Sequence, residues 1–151
     1  MLVYRLCRAA YASLDGEGAR LYGGRWNRPG SRVVYTSASL ALASLEYMVH
    51  VPAELAPQDL VALTIHIPDE IAPEHLDVDA LPSDWHQFVD HAACRGAGDA
   101  WLHRGTSLVL RVPAAPIPTE YNVLVNADHS LAHRVTVVAS RPFQFDPRFI
   151  R

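Results

Sequence analysis

The chain has 151 residues, half of them apolar and 19% charged, with a net charge of −3, a composition that suits one packed domain and excludes a disordered chain. No run of like charges and no apolar stretch approaching about 18 residues occurs, which argues against direct nucleic-acid binding and against a membrane span. All thirteen basic residues are arginine, which removes Schiff-base and Walker-lysine chemistry and leaves bidentate anion-binding forks.

The N-terminal residues Leu2 to Cys7 predict a short strand. Their apolar run is broken by Arg5 and Arg8, unlike a secretory signal, so a cytoplasmic location is the default expectation. Cys7 and Cys94 stand far apart without a CxxC pairing and read as buried, reduced thiols. From Tyr11 to Arg32 the chain is rich in glycine and reads as a long loop; loops of this length tend to be functional, which makes Arg25 a site candidate.

Val33 to Thr36 has the character of a buried strand, and Ser37 or Ser39 is placed to cap a helix running to about His50. Leu42, Leu45 and Val49 fall at helical spacing, with Glu46 on the edge of that stripe. Leu60 to Ile67 is a second strand ended by Pro68, and Asp69 to Ser83 reads as irregular. Helices are expected over Trp85 to Cys94 and Ala97 to Arg104, split by Gly96 and Gly98.

Ser107 to Val112 returns to strand, Pro113, Pro116 and Pro118 force an extended connection, and Tyr121 to Asn126 follows as strand. A short helix over Ser130 to His133 and strands around Val135 to Ala139 and Phe143 to Phe145 complete the chain. Strands and helices mix without regular alternation, which predicts an α+β fold.

The common phosphate-loop, nucleophile-elbow, zinc-pair and dinucleotide signatures are all missing. His129 and His133 share the i,i+4 spacing of a metal pair but have no third ligand nearby, so no metal is expected. Chemistry concentrates instead in GGRWN with Arg25, VVYTS with Tyr35 and ASLEYMVH with Glu46. A glycine-flanked arginine lets backbone approach a ligand that the guanidinium grips, and an aromatic at a strand edge stacks on a ring. Purely structural roles stand beside these: Arg25 bridging to an acid, Tyr35 in the core, Glu46 paired with His50.

The stretch YGGRWNRPGSRVVYTSASLALASLEYMVH resembles the N-terminal signature of the RES domain family. LVLRVPAAPIPTEYNVLVNADHS and FQFDPRFI resemble its later blocks, so residues 1–151 are read as one RES domain. The resemblance implies a single compact α+β domain related to ADP-ribosyltransferases, with mixed or antiparallel sheets and flanking helices. It further implies a toxin of a toxin–antitoxin system, with NAD as substrate and an Xre-type antitoxin carrying a DNA-binding domain as partner. It leaves room for a homodimer and for a protein acceptor of ADP-ribose.

Arg25, Tyr35 and Glu46 carry over as catalytic residues, and Arg25, Trp26, Asn27, Tyr35, Glu46, Ala114 and Asn122 as the NAD-binding set. Ala114 stands where the family has its serine, and Ser107 is a poor substitute for that hydroxyl. The implied reaction is cleavage of the nicotinamide–ribose bond by hydrolysis or phosphorolysis. The alternatives are ADP-ribosylation of a protein such as a nucleotide-synthesis enzyme, or a module that binds NAD or antitoxin with impaired turnover.

Overall fold

The computed structural model describes residues 1–87 and 92–150. Its strands are β1 (Leu2–Arg8), β2 (Val33–Ser37), β3 (Leu60–His66), β4 (Glu74–His75), β5 (Val109–Pro113), β6 (Tyr121–Asn126) and β7 (Thr136–Pro142). Its helices are α1 (Glu17–Tyr22), α2 (Leu40–His50) and α3 (Ala92–Arg104). All seven strands join one sheet in the order β4-β5-β6-β2-β1-β3-β7. Only β4 with β5 is parallel, which makes the sheet mixed.

Side chains alternate across the pleat, so each central strand feeds two cores. Val3, Val34, Leu63, Ile65, Val109, Val123 and Val125 pack on one face, beneath Ile67, Ile71, Leu108 and Val135 from the connections. On the other face α2 covers Leu6 and Leu60 through Ala43, and α3 covers Val33, Leu110, Val112 and Leu124 through Cys94 and Trp101. Between α2 and the loop that α3 supports, this second face stays open as a cleft.

Several expectations are corrected. The glycine-rich stretch from Tyr11 to Arg32 contains α1, which buries no residue and so leaves no apolar period to read. Its first turn is tied by the Asp15 carboxylate, which accepts the Glu17 N–H at 2.9 Å. Gly96 and Gly98 do not split a helix, because α3 runs through both with Cys94, Gly98 and Trp101 buried. Tertiary packing outweighs the roughly 1 kcal/mol that a glycine costs a helix.

The helix expected over Trp85 to Cys94 is not found at its start, where Trp85 N–H and Gln87 N–H close turns onto Pro82 and Asp84; residues 88–91 lie outside the described residues. Phe143 to Phe145 is no strand, since their rings pack edge-to-face at 5.1 Å while Phe145 also meets Tyr47 of α2. The helix expected from Ser130 is a single 3-10 turn, Ala132–Arg134. Val49 of α2 is exposed rather than part of the buried stripe, which narrows to Leu42 and Ala43. Among the described residues no helix is long and apolar enough to cross a membrane.

Candidate active site

The cleft holds about 690 Å3. Tyr35 and Ser37 of β2 and Asn122 of β6 line it, together with Glu46, Tyr47 and His50 of α2 and residues 23–26 of the loop after α1. Ala115, Pro116 and His86 contribute at its margin.

The arginine loop is built from its buried asparagine outward. Gly24 and Asn27 exchange backbone hydrogen bonds, closing a tight turn around Arg25 and Trp26. Asn27 is fully buried; its Nδ2 donates to the Ala19 and Arg28 carbonyls at 3.1 and 2.9 Å, and its Oδ1 accepts from the Tyr35 hydroxyl at 2.7 Å. The same hydroxyl accepts the Trp26 N–H at 3.1 Å. Burial pushes the Tyr35 phenol far above its ordinary range, against the smaller opposing effect of that N–H, so it stays a neutral donor. Glycine suits position 24, because a Cβ there would stand 2.5 Å from the Tyr35 hydroxyl and would displace it.

Behind the loop, α3 acts as a support. Arg28 is pinned to Asp99 through its backbone N–H at 3.1 Å and its Nη1 at 2.6 Å, and Trp26 is buried against Trp85, with ring centroids 5.9 Å apart. Arg25 donates from Nη1 to the Trp85 carbonyl at 2.9 Å. It also interacts with the Cys94 thiol, which burial holds above its usual range despite the guanidinium. Among its contacts with the described residues, Arg25 thus meets a carbonyl and a thiol.

Among the described residues the hydrogen-bond partner of Glu46 is Asn122 rather than His50. Its Oε1 accepts from Asn122 Nδ2 at 2.5 Å, and Asn122 Oδ1 accepts from the Ser37 hydroxyl at 2.8 Å. Ser37 and Asn122 are opposite one another in the β2–β6 register, so their side chains share a face. Ser39, not Ser37, caps α2 by accepting the Leu42 N–H at 3.1 Å.

The structure thus brings Arg25, Trp26, Tyr35, Glu46 and Asn122 to one cleft. Asn27 and Ala114 do not line it. Asn27 is spent on holding the loop, and Ala114 is fully buried with its N–H on the Glu120 carbonyl, whereas Ala115 and Pro116 reach the cleft. Ser107 accepts from Trp101 Nε1 and donates to Glu74, away from the cleft, so it does not replace the family hydroxyl. His129 Nδ1 accepts the Leu131 N–H and His133 Nδ1 lies 3.0 Å from the Ser130 carbonyl, each engaged in its own turn.

Ser37, Tyr47, His50 and His86 are cleft residues the sequence reading did not select. Ser37 was legible in principle, two residues after Tyr35 on the same strand face. His86 was not, since the turn that carries it has no periodic signal.

The RES domain family model matches residues 2–146. The chain belongs to the RES domain family. This RES domain is 37% identical over 154 residues to "Toxin Res" of Photorhabdus laumondii subsp. laumondii, covering 100% of this chain and 98% of that protein. It is 34% identical over 140 residues to the "Prs ADP-ribosylating toxin" of Sphingobium sp., covering 91% and 87%. Among solved structures it resembles the M. tuberculosis MbcT–MbcA toxin–antitoxin complex with a TM-score of 0.79 at 23% identity, over 95% of this chain and 84% of that one. The expected α+β domain, a mixed sheet with flanking helices, is the fold of this RES domain.

Proposed function

We propose that this RES domain is the toxin of a toxin–antitoxin pair and that it binds NAD in the cleft and cleaves the nicotinamide–ribose bond. The observation that carries this reading is the Glu46 carboxylate, held by Asn122 at 2.5 Å in the same cleft as Arg25. The C1′–N bond breaks with its electron pair leaving on nicotinamide, which departs neutral, while positive charge builds on the ribose. A carboxylate fixed beforehand stabilises that charge more than it stabilises the ground state.

Arg25 grips the NAD pyrophosphate by charge-assisted hydrogen bonds, and Trp26 and Asn122 help fix its orientation. Tyr35 offers its ring to the nicotinamide or ribose region, since its hydroxyl is engaged with Asn27 and Trp26. A cleft of about 690 Å3 falls within the roughly 300–1,000 Å3 usual for small-molecule sites. The names of the similar Photorhabdus and Sphingobium proteins support the toxin role. The partner is an antitoxin, a role supported by the MbcT–MbcA likeness, and the family resemblance makes it one of Xre type that covers the cleft.

The ADP-ribosyl group passes to water, to phosphate or to a protein. The name of the Sphingobium relative favours, as a second reading, transfer to a protein acceptor such as an enzyme of nucleotide synthesis. One experiment separates these outcomes. Purified wild-type, Ala114→Ser and Glu46→Gln proteins are incubated with labelled NAD, alone, with phosphate and with a cell lysate.

Nicotinamide release by the wild type should exceed that of Glu46→Gln about 10²–10³-fold. Label appears as ADP-ribose, as its 1-phosphate, or on protein, according to the acceptor. Release that never exceeds Glu46→Gln, in either the wild type or Ala114→Ser, overturns the enzyme reading. Calorimetric NAD binding in that case identifies a binding module instead.

A further inference from the structure

Ser37 is 4% exposed and lines the cleft floor, yet it neither caps α2 nor occupies the family's serine position. Its hydroxyl is the donor, at 2.8 Å, to Asn122 Oδ1, and Asn122 is itself 8% exposed. The chain of polarity has one consistent direction. An ionised Glu46 only accepts, so the Asn122 group facing it at 2.5 Å must be the NH2. The amide oxygen then turns to Ser37, whose hydroxyl must donate. Removing that donor leaves a nearly buried amide oxygen unsatisfied and frees the amide to rotate away from the carboxylate.

We propose that Ser37 is a positioning residue of this site, acting through Asn122 to keep the Glu46 carboxylate aimed into the cleft. The inference rests on the reading of Glu46 given above. Thr36, its neighbour, has no such role, since its hydroxyl donates to the Val123 carbonyl at 2.6 Å. Ser37 is thus the hydroxyl of β2 that is coupled to the candidate catalytic carboxylate.

The test compares wild type, Ser37→Ala, Ser37→Thr and Glu46→Gln by nicotinamide release and by NMR of the Asn122 side-chain amide in protein labelled with 15N-asparagine. The amide measurement needs no turnover, so it decides the relay even if the wild type releases no nicotinamide and the proposed function fails. In the wild type one Asn122 amide proton should be shifted downfield and slow to exchange, and Glu46→Gln should move it. Ser37→Ala should speed its exchange about tenfold and lower kcat about tenfold with KM within about twofold, the effect of one lost hydrogen bond.

Ser37→Thr, which keeps a hydroxyl and suits a strand, should restore both. An Asn122 amide that ignores Glu46→Gln in otherwise wild-type protein overturns the proposal, whether or not Ser37→Ala folds. So does a folded Ser37→Ala protein that matches wild type in amide exchange, or a folded Ser37→Thr protein that behaves as Ser37→Ala.

Discussion

Gly98 of α3 lies directly beneath Trp26 of the arginine loop: a Cβ on Gly98 would stand 1.7 Å from the Trp26 carbonyl oxygen. The obstacle is backbone, so it cannot swing aside as a flexible side chain would. Gly98→Ala should therefore lift the Trp26 peptide and with it Arg25, even though alanine is the better helix former. Denaturant melts should show a loss of about 1–3 kcal/mol, and calorimetry should show weaker NAD binding. A variant of wild-type stability and affinity would show that the helix and loop do not pack this closely.

Asn122→Asp replaces the amide donor with a second carboxylate facing Glu46 across a 2.5 Å contact. Two carboxylates at that distance cannot both stay ionised, so one must take up a proton or the pair must separate. Nicotinamide release should fall about ten- to hundredfold, matching the loss of a hydrogen bond to a charged group. The accompanying loss of stability at neutral pH should shrink as the pH is lowered, measured as midpoints of urea unfolding across a pH series.

Tyr35→Phe keeps the ring but removes the hydroxyl that joins the Trp26 N–H to Asn27 Oδ1. Two groups of a largely buried loop lose their partner together. Thermal unfolding should report a cost of about 1–3 kcal/mol, while NAD affinity falls less than in Arg25→Ala because the aromatic wall of the cleft remains. Equal losses of affinity in the two variants would instead give the hydroxyl a direct part in binding.

Glu17 clamps the base of the same loop. Hydrogen bonding from Arg20 above all, with help from Arg32, pulls its carboxyl down from 4.5 to about 2. A carboxyl lowered by folding contributes stability that is fully present above its unfolded value and is lost as the pH falls through the folded one. Acid unfolding curves should therefore carry a component between pH 4.5 and about 2 that flattens in Arg20→Gln, and carbon NMR of the Glu17 carboxyl should titrate at the low end of that window.

The strands β2, β3 and β6, and the span of α2 up to His50, could be read directly from the order of residues, because the β-branched and aromatic content of VVYTS and YNVLVN and the cap before LALASLEYMVH are local signals. Arg25, Tyr35 and Glu46, which the structure gathers in one cleft, were likewise singled out as candidates, through glycines around an arginine and a carboxylate beside an apolar stripe. The helices α1 and α3 were misread for opposite reasons. One buries nothing and so has no period, and the other contains a glycine, Gly98, that packs against a distant loop.

Residue types and spacing were thus enough to name the groups that could do chemistry, since those depend on what each side chain carries. Partnership was not, because hydrogen bonds join residues far apart in the chain: Tyr35 to Asn27 across a turn, Arg25 to the Trp85 carbonyl, and Glu46 to Asn122 across 76 positions. The antiparallel register of β2 with β6 sets Ser37 opposite Asn122, and the packing of α2 over that sheet face brings Glu46 to them. A strand's own sequence specifies which residues share a face, whereas the neighbour it meets is chosen by the sheet as a whole.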